Sequence, residues 1–174
     1  LTFLFIIRTL SVSPQPTNQS WLASCDHGPE QAISFSGSGS AAGVIRTASN
    51  LCLSHSCDDP ATSNCYPLSF VPCSTDDDDV SQQFVYDSTK LTFKSANATQ
   101  NGCLDVYGDQ DVGSKVGLFT CNGNENQQWS VSGNTIVEVG DRLMFLLLVS
   151  SLLSSSSSYS SSSGVTSLFR VLLC

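Results

Sequence analysis

Charged residues are scarce in this chain, and the basic ones are the scarcest. Only 13% of its 174 residues are charged, against about 25% in an ordinary soluble domain. Seven Lys and Arg against fifteen Asp and Glu leave a net charge of −8 at pH 7. Nucleic acids and anionic membrane surfaces are bound through an excess of Lys and Arg, so we expect neither as a partner.

Long apolar runs and helical patterns are missing as well. No run of 18 or more apolar residues occurs, so the sequence predicts no membrane insertion. No window keeps a helical periodicity over more than two turns, which argues against a helical fold. The length fits one domain with room for tails.

Known patterns of catalysis and metal binding are also lacking. His27 and His55 are isolated, and the cysteines do not have the spacing of zinc ligands. The chain has no Gly-x-Ser-x-Gly nucleophile motif and no acid pair that its repeats would bring together for glycoside hydrolysis. The run Asp76–Asp79 lacks the spaced ligands of a calcium loop, which favours a solvated loop over calcium binding. We therefore expect no metal, no cofactor and no catalytic function.

Cysteine, in contrast, is abundant. The chain has eight cysteines in 18.5 kDa and two Asn-x-Ser/Thr glycosylation sites, at Asn18 and Asn97. Together they favour a secreted, disulfide-bonded glycoprotein. The alternative is a reduced intracellular protein in which the cysteines are incidental.

Both ends of the chain look unlike a folded domain. The chain begins at Leu1 without Met, which we interpret as a fragment or an imperfect gene model. Residues 1–20 are expected to be a leader or linker, in which Leu1–Ile7 is either the apolar part of a signal peptide or a truncated upstream segment. Residues 143–174 join an apolar stretch to nine serines within residues 154–163. Such a serine tract cannot offset its ordering entropy, so we expect a disordered or non-native tail.

Between these ends, one pattern occurs three times. It consists of an apolar residue three positions before a Cys, a polar loop, and Gln-x-apolar. The three copies are Leu22, Cys25, Gln31 and Ile33; Phe70, Cys73, Gln82 and Phe84; and Leu118, Cys121, Gln127 and Trp129. Each is followed by an apolar residue expected to begin the next unit, namely Ile45, Leu91 and Ile136. Two of these beginnings lead to Cys52-Leu53 and Cys103-Leu104-Asp105, but the third reaches Leu143-Met144 where Cys-Leu is expected.

The segments between these landmarks indicate short strands. β-forming residues cluster at 44–47, 84–86, 90–93, 116–119 and 129–131, separated by Gly, Asn, Asp and Ser. Three units of about 45 residues, each with four strands, suit a closed β architecture, and a propeller would need four or more blades. The sequence therefore predicts a three-fold barrel.

The best-preserved unit resembles a known family. Cys103-Leu-Asp-Val106, the segment Gly113–Cys121 and Asn126-Gln-Gln-Trp129 are similar to a repeat of the ricin B-type lectins. The resemblance covers residues 21–142 and is strongest from 89 to 131. It implies an all-β fold, a ricin B-like β-trefoil that is incomplete in one of its three repeats, and non-catalytic binding of glycans or glycoproteins.

The resemblance also implies disulfide pairs. The first and last cysteines of a unit pair in the family, which implies Cys52–Cys73 and Cys103–Cys121. Cys57 and Cys65 lie within one loop, so we expect a Cys57–Cys65 pair. Cys25 and Cys174 stay unassigned.

Carried over from the family, four residues are expected to bind carbohydrate of galactose, N-acetylgalactosamine or xylose type. Asp105 would bind sugar hydroxyls, Phe119 would stack on the ring, and Asn126 and Gln127 would add hydrogen bonds. The alternatives are a turn cap for Asp105, a core position for Phe119 and a loop-shaping role for Asn126, and Gln127 is expected to have a structural role in any case. A polar residue expected at position 117 is Gly117 here, which lowers the expected affinity. Tyr107 is expected either at the edge of the site or in the core.

The unit before this one lacks the same set. Ser54, Val71 and Ser81 stand where the acid, the aromatic residue and the asparagine are expected, so we expect a single competent site. The leading hypothesis is a non-catalytic carbohydrate-binding module, of the kind that is attached as an accessory part to a larger glycosidase or toxin-like protein. The alternative is a structural or protein-binding trefoil whose sugar sites have decayed.

Overall fold

The computed structural model describes residues 8–12, 18–25, 28–55, 65, 68–76, 79–98 and 102–139. Within these ranges the chain forms twelve β-strands and three single-turn 3-10 helices. The strands are β1 (Arg8–Val12), β2 (Ser20–Ser24), β3 (Ile33–Phe35), β4 (Gly43–Thr47), β5 (Leu51–Ser54), β6 (Ser69–Pro72), β7 (Gln83–Asp87), β8 (Thr92–Ser95), β9 (Gly102–Val106), β10 (Val116–Thr120), β11 (Trp129–Ser132) and β12 (Thr135–Glu138). The 3-10 helices are Pro29–Gln31, Val80–Gln82 and Glu125–Gln127.

The strands fall into three units of four. Unit A is β4–β7, unit B is β8–β11, and unit C combines β12 with β1, β2 and β3. The antiparallel hairpins β5–β6, β9–β10 and β1–β2 are the inner pairs of the three units. The outer strands form a ring, in which β3 pairs with β4, β4 with β7, β7 with β8, and β11 with β12. Backbone bonds from Trp129 to Leu91 and from Ile33 to Asn134 complete it. A closed ring removes exposed strand edges.

Unit C is completed by the N-terminal strand. Arg8–Val12 pairs with β2 along its whole length and with β12 at Thr9↔Val137. Leu10 is fully buried, and Arg8 lies 3.9 Å from the buried carboxylate of Glu138. Residues 1–20 were expected to be a leader or linker. The structure differs from this expectation, because Arg8–Val12 supplies the strand that the repeat pattern predicts near Leu143. Its tertiary partners, which are distant in sequence, decide its conformation.

The core repeats the same positions in each unit. Twelve of its fifteen buried side chains form four sets of three, one member from each unit. These sets are Leu53, Leu104 and Leu10; Phe70, Leu118 and Leu22; Phe84, Trp129 and Ile33; and Ile45, Phe93 and Ile136. Burial of this apolar surface away from water is the main favourable contribution to the free energy of folding.

One position of the predicted repeat was wrong by two residues. Phe93, not Leu91, occupies the core position equivalent to Ile45 and Ile136. Leu91 lies in the turn before β8 with a φ of 59°, and its carbonyl accepts the Trp129 N–H. The turn between β7 and β8 is longer than its counterpart between β11 and β12. Leu91 follows Phe84 at the same interval as Ile136 follows Trp129, but because of the longer turn the two residues do not occupy equivalent positions in the fold.

Two predicted disulfides are confirmed. Cys52–Cys73 and Cys103–Cys121 have Cα–Cα distances of 4.8 and 4.9 Å, within the usual range for disulfides. Each joins the start of an inner hairpin to the residue that follows it. Cys25 and Cys65 are disulfide-bonded as well, with partners outside the described residues. The predicted Cys57–Cys65 pair and the predicted tail at 143–174 also lie outside them.

Candidate functional site

The β9–β10 hairpin of unit B has two different faces. Leu104, Val106, Val116 and Leu118 point into the core and are at most 1% exposed. The alternate residues form successive cross-strand pairs on the outer face, because side chains alternate along a strand. Cys103 lies opposite Phe119, and Asp105 lies opposite Gly117.

Asp105 is the centre of a polar cluster on this outer face. Its side chain is only 3% exposed, and its Oδ2 accepts hydrogen bonds from Asn126 Nδ2 and Gln127 Nε2, both at 2.9 Å. The 3-10 helix Glu125–Gln127 places these two consecutive amides beside the strand. The structure therefore brings together three of the four predicted residues by direct contact. The bonds also give the buried carboxylate the partners that a buried charge requires.

Gln127 has a structural role that recurs in all three units. It is fully buried, and its Nε2 also donates to the carbonyl of Thr120 at 3.0 Å, while its Oε1 accepts the backbone N–H of Asn122 at 2.9 Å. The equivalent glutamines make the same bond to the residue before the last cysteine of their unit: Gln82 to Pro72 at 3.1 Å, and Gln31 to Ser24 at 2.6 Å. Gln127 therefore lies behind Asp105 rather than on the surface.

A surface depression of about 280 Å³ opens in front of Asp105. Besides Asp105, the side chains that line it include Asn126, Asn122, Phe119 and Tyr107. Phe119 is 37% exposed and Tyr107 is 64% exposed, so neither occupies the core position that was the alternative. Among the described residues, neither Lys nor Arg lines this depression, which leaves the Asp105 carboxylate as its charged group. A group of hydrogen-bond acceptors beside an exposed aromatic ring can bind a neutral molecule that carries several hydroxyl groups.

The family model of the ricin-type β-trefoil lectin domain matches residues 41–144, more than half of the chain. The chain belongs to this family. A solved structure similar to this lectin is a designed three-fold symmetric protein, ThreeFoil, with a TM-score of 0.58 and 19% identity over 75% of this chain and 90% of ThreeFoil. At that identity the likeness shows the fold, a β-trefoil. No curated protein matches the chain.

Family membership indicates carbohydrate binding as the general function of this lectin. The disulfides and the lectin domain together fit an extracellular protein. In the part of the chain that the structure describes, no helix has the length and apolar character to cross a bilayer.

The equivalent places in the other two units carry different side chains. In unit A, Ser54 lies opposite Ser69 on the inner hairpin, and Val71 takes the place of the aromatic residue. In unit C, Ser11 takes the place of Asp105, and its hydroxyl donates to the Glu30 carbonyl at 3.4 Å. Ala23 stands where unit B has Phe119. The combination of a carboxylate, an amide and an exposed aromatic ring thus belongs to unit B among the described units.

A second depression, of about 360 Å³, lies on unit A and was not singled out in the sequence. Ser36, Arg46, Asp76, Asp79 and Gln83 are among the residues that line it. The hydroxyl of Ser81 donates to Asp79 and holds the pKa of this carboxyl below its usual value of 3.8. Asp79 accepts the Ser81 N–H as well, so one acid of the predicted solvated loop serves to cap a 3-10 helix. Within the described ranges, no group of three His, Cys, Asp or Glu is arranged to hold a metal.

Proposed function

We propose that this lectin binds a neutral glycan of galactose, N-acetylgalactosamine or xylose type in the depression of unit B. The observation that carries the proposal is the Asp105 carboxylate, which two amides hold in place beside the exposed ring of Phe119. A fixed carboxylate makes strong hydrogen bonds to sugar hydroxyls. An aromatic ring covers the apolar C–H side of a sugar and releases water from both surfaces.

Each predicted residue has a distinct role in this proposal. Asp105 accepts hydrogen bonds from the sugar hydroxyls, and Phe119 is the platform for the ring. Asn126 Nδ2 already donates to Asp105 and to the Val106 carbonyl at 3.2 Å, so its Oδ1 is the atom offered to a sugar hydroxyl. Gln127 is buried and acts as a positioning residue that orients Asp105.

The affinity is expected to be modest. Gly117 lies directly opposite Asp105 and has no side chain to add a hydrogen bond from that strand. A single site also cannot gain avidity within one chain. Tight binding to glycoproteins would then require several copies or a tethered partner domain.

The setting of the lectin follows from the same proposal. We expect secretion, glycosylation at Asn18 and Asn97, and attachment to a glycoside hydrolase whose substrate the lectin would hold. The backbone N–H of Asn97 donates to the Ser95 hydroxyl oxygen at 3.1 Å, and the Asn18 carbonyl accepts the Phe70 N–H at 2.7 Å. Both asparagine side chains are half-buried, so mass analysis of secreted material is the direct check of glycosylation.

The test is titration calorimetry of the full chain with the methyl glycosides of the three sugars. Asp105→Ala should abolish binding, whereas Ser54→Ala, the equivalent change in unit A, should leave it unchanged. Circular dichroism controls for folding. Binding that survives Asp105→Ala in a folded protein would overturn the proposed site.

A second candidate function is protein binding by a trefoil whose sugar sites have decayed. The observations in its favour are Gly117 in unit B and Ser54 and Val71 in unit A. A correctly folded sample that binds none of the three glycosides, and no glycan on an array, would favour this alternative.

A further inference from the structure

Tyr107 is an exposed aromatic residue that the fold does not use in its core. At 64% exposed, it is the most exposed large apolar side chain among the described residues. It follows β9 directly, and it lines the same depression as Asp105. A tyrosine left this far in water at the mouth of a depression is typical of a contact surface.

The strand ladder fixes where Tyr107 lies relative to Phe119. The Tyr107 N–H donates to the Lys115 carbonyl at 2.9 Å, so the β9–β10 ladder continues one pair beyond Val106↔Val116. On the outer face, the order along the hairpin is therefore Phe119 with Cys103, then Asp105 with Gly117, then Tyr107 with Lys115. The two aromatic residues flank Asp105 on opposite sides.

The backbone spacing of these pairs favours two sugar rings over one. Successive pairs on one face of a hairpin are about 7 Å apart, so the Cα atoms of Phe119 and Tyr107 are about 13 Å apart along the strand direction. That separation exceeds a single pyranose ring and suits two linked rings lying end to end. Gly117 leaves the floor between the aromatic residues without a side chain, and Gly108, at the far end, has open space around its Cβ position.

We infer that Tyr107 forms a second subsite, so that this lectin binds a disaccharide unit along the β9–β10 hairpin; the inference rests on the proposed function. The inner sugar contacts Asp105, Asn126 and Phe119. The outer sugar stacks on Tyr107. The second ring adds affinity through apolar contact with the Tyr107 ring.

The test compares single sugars with disaccharides on the folded full chain. The probes are methyl β-galactoside, lactose and melibiose, together with methyl β-xyloside and xylobiose, measured by titration calorimetry. At least one disaccharide should bind about two- to tenfold more tightly than its methyl glycoside, which is the gain expected from one stacking contact. Tyr107→Ala should remove this gain and leave the affinity for the methyl glycoside within twofold.

Two further variants separate stacking from other effects. Tyr107→Phe should keep the gain, because the ring is retained. Val112→Ala should also keep it, because Val112 is an exposed apolar residue (47%) that is not among those lining the depression.

The possible failures are distinguishable. If the lectin binds a methyl glycoside through Asp105 but gains nothing from a second sugar, or if Tyr107→Ala weakens both ligands equally, the second subsite is overturned and the proposed function stands. If neither these five sugars nor the methyl glycoside of N-acetylgalactosamine binds, the proposed function fails and the subsite fails with it.

Discussion

Gln127 Nε2 donates hydrogen bonds at once to Asp105 Oδ2, at 2.9 Å, and to the Thr120 carbonyl, at 3.0 Å. The second bond recurs in all three units, as Gln82 to Pro72 and Gln31 to Ser24. The bond to the carboxylate exists in unit B, where strand β9 carries Asp105. One buried amide therefore joins the loop closure of the trefoil to the carboxylate of the proposed sugar site.

This relationship predicts different results for two equivalent glutamines. Gln127→Ala should lower the free energy of unfolding by about 1–3 kcal/mol, because the backbone groups of Thr120 and Asn122 lose the buried Gln127 amide as their hydrogen-bond partner. It should also weaken sugar binding, because Asp105 loses a donor. Gln82→Ala should destabilise the protein to a similar extent and leave sugar affinity unchanged. Urea denaturation and calorimetry measure the two effects. Full sugar affinity in Gln127→Ala would show that Asp105 needs no help in positioning.

The N-terminal strand should matter as much as its equivalents. Leu10 is fully buried, as are Leu53 and Leu104, so Leu10→Ala should cost about 2–5 kcal/mol of unfolding free energy. Leu53→Ala should cost a similar amount, whereas Val112→Ala, at an exposed position, should have little effect. An unchanged denaturation midpoint for Leu10→Ala would show that β1 does not contribute to the core, and would support the expectation of a leader or linker over residues 1–20.

The two disulfides should differ in function but not in stability. They close loops of 21 and 18 residues, so removing either by double Cys→Ala replacement should cost about 3 kcal/mol. Replacing Cys103 and Cys121 should also weaken sugar binding, because Cys103 lies opposite Phe119. The Cys52 and Cys73 double variant is the matched control and should bind normally. Equal binding by both variants would show that Phe119 is held without the disulfide.

The stability should depend on pH through Asp79. The Ser81 hydroxyl lowers the pKa of Asp79 in the folded state. A lowered folded pKa gives stability that is present above the unfolded value and is lost as pH falls through the folded pKa. Ser81→Ala should therefore be less stable than the wild type at pH 7, and the difference should shrink as pH falls below 3.8, the usual pKa of the acid. A difference that does not change with pH would contradict this assignment; paired urea denaturation curves provide the measurement.

Several strands were predictable from local signals, and two disulfides were predictable through the resemblance to the family. The alternation of apolar residues, the turn residues and the repeated Gln-x-apolar pattern placed β4, β7, β10 and β11 close to their observed bounds. The grouping of Asp105 and Asn126 was predictable through the resemblance, since it depends on spacing that the repeat preserves. The position of Gln127 behind the acid was not predictable, because exposure depends on which side of a 3-10 turn faces the core.

Other features had weak signals or none. Arg8-Thr-Leu-Ser-Val12 shares only its Leu and Val with Gly102-Cys-Leu-Asp-Val106, and it lies at the opposite end of the chain from β12. Thr9 stands opposite Ala23 as Cys103 stands opposite Phe119, so the expected cysteine is absent from that strand. The exposed ring of Tyr107 was equally ambiguous, because a tyrosine after a strand serves both cores and surfaces.

By itself, the amino-acid sequence determined an all-β chain of three similar units and most of the residues that fill the core, and its resemblance to the family pointed to the few polar and aromatic side chains of the proposed sugar site. The strands and the core follow from local propensity and from the period of apolar residues, which act between neighbours along the chain. Only the tertiary structure decided that the first strand completes the last unit, that Gln127 supports Asp105 from within, and that Tyr107 and Phe119 flank it from outside. Ring closure brings distant segments together, and the resulting burial, rather than sequence spacing, assigns each side chain to the core or to the surface.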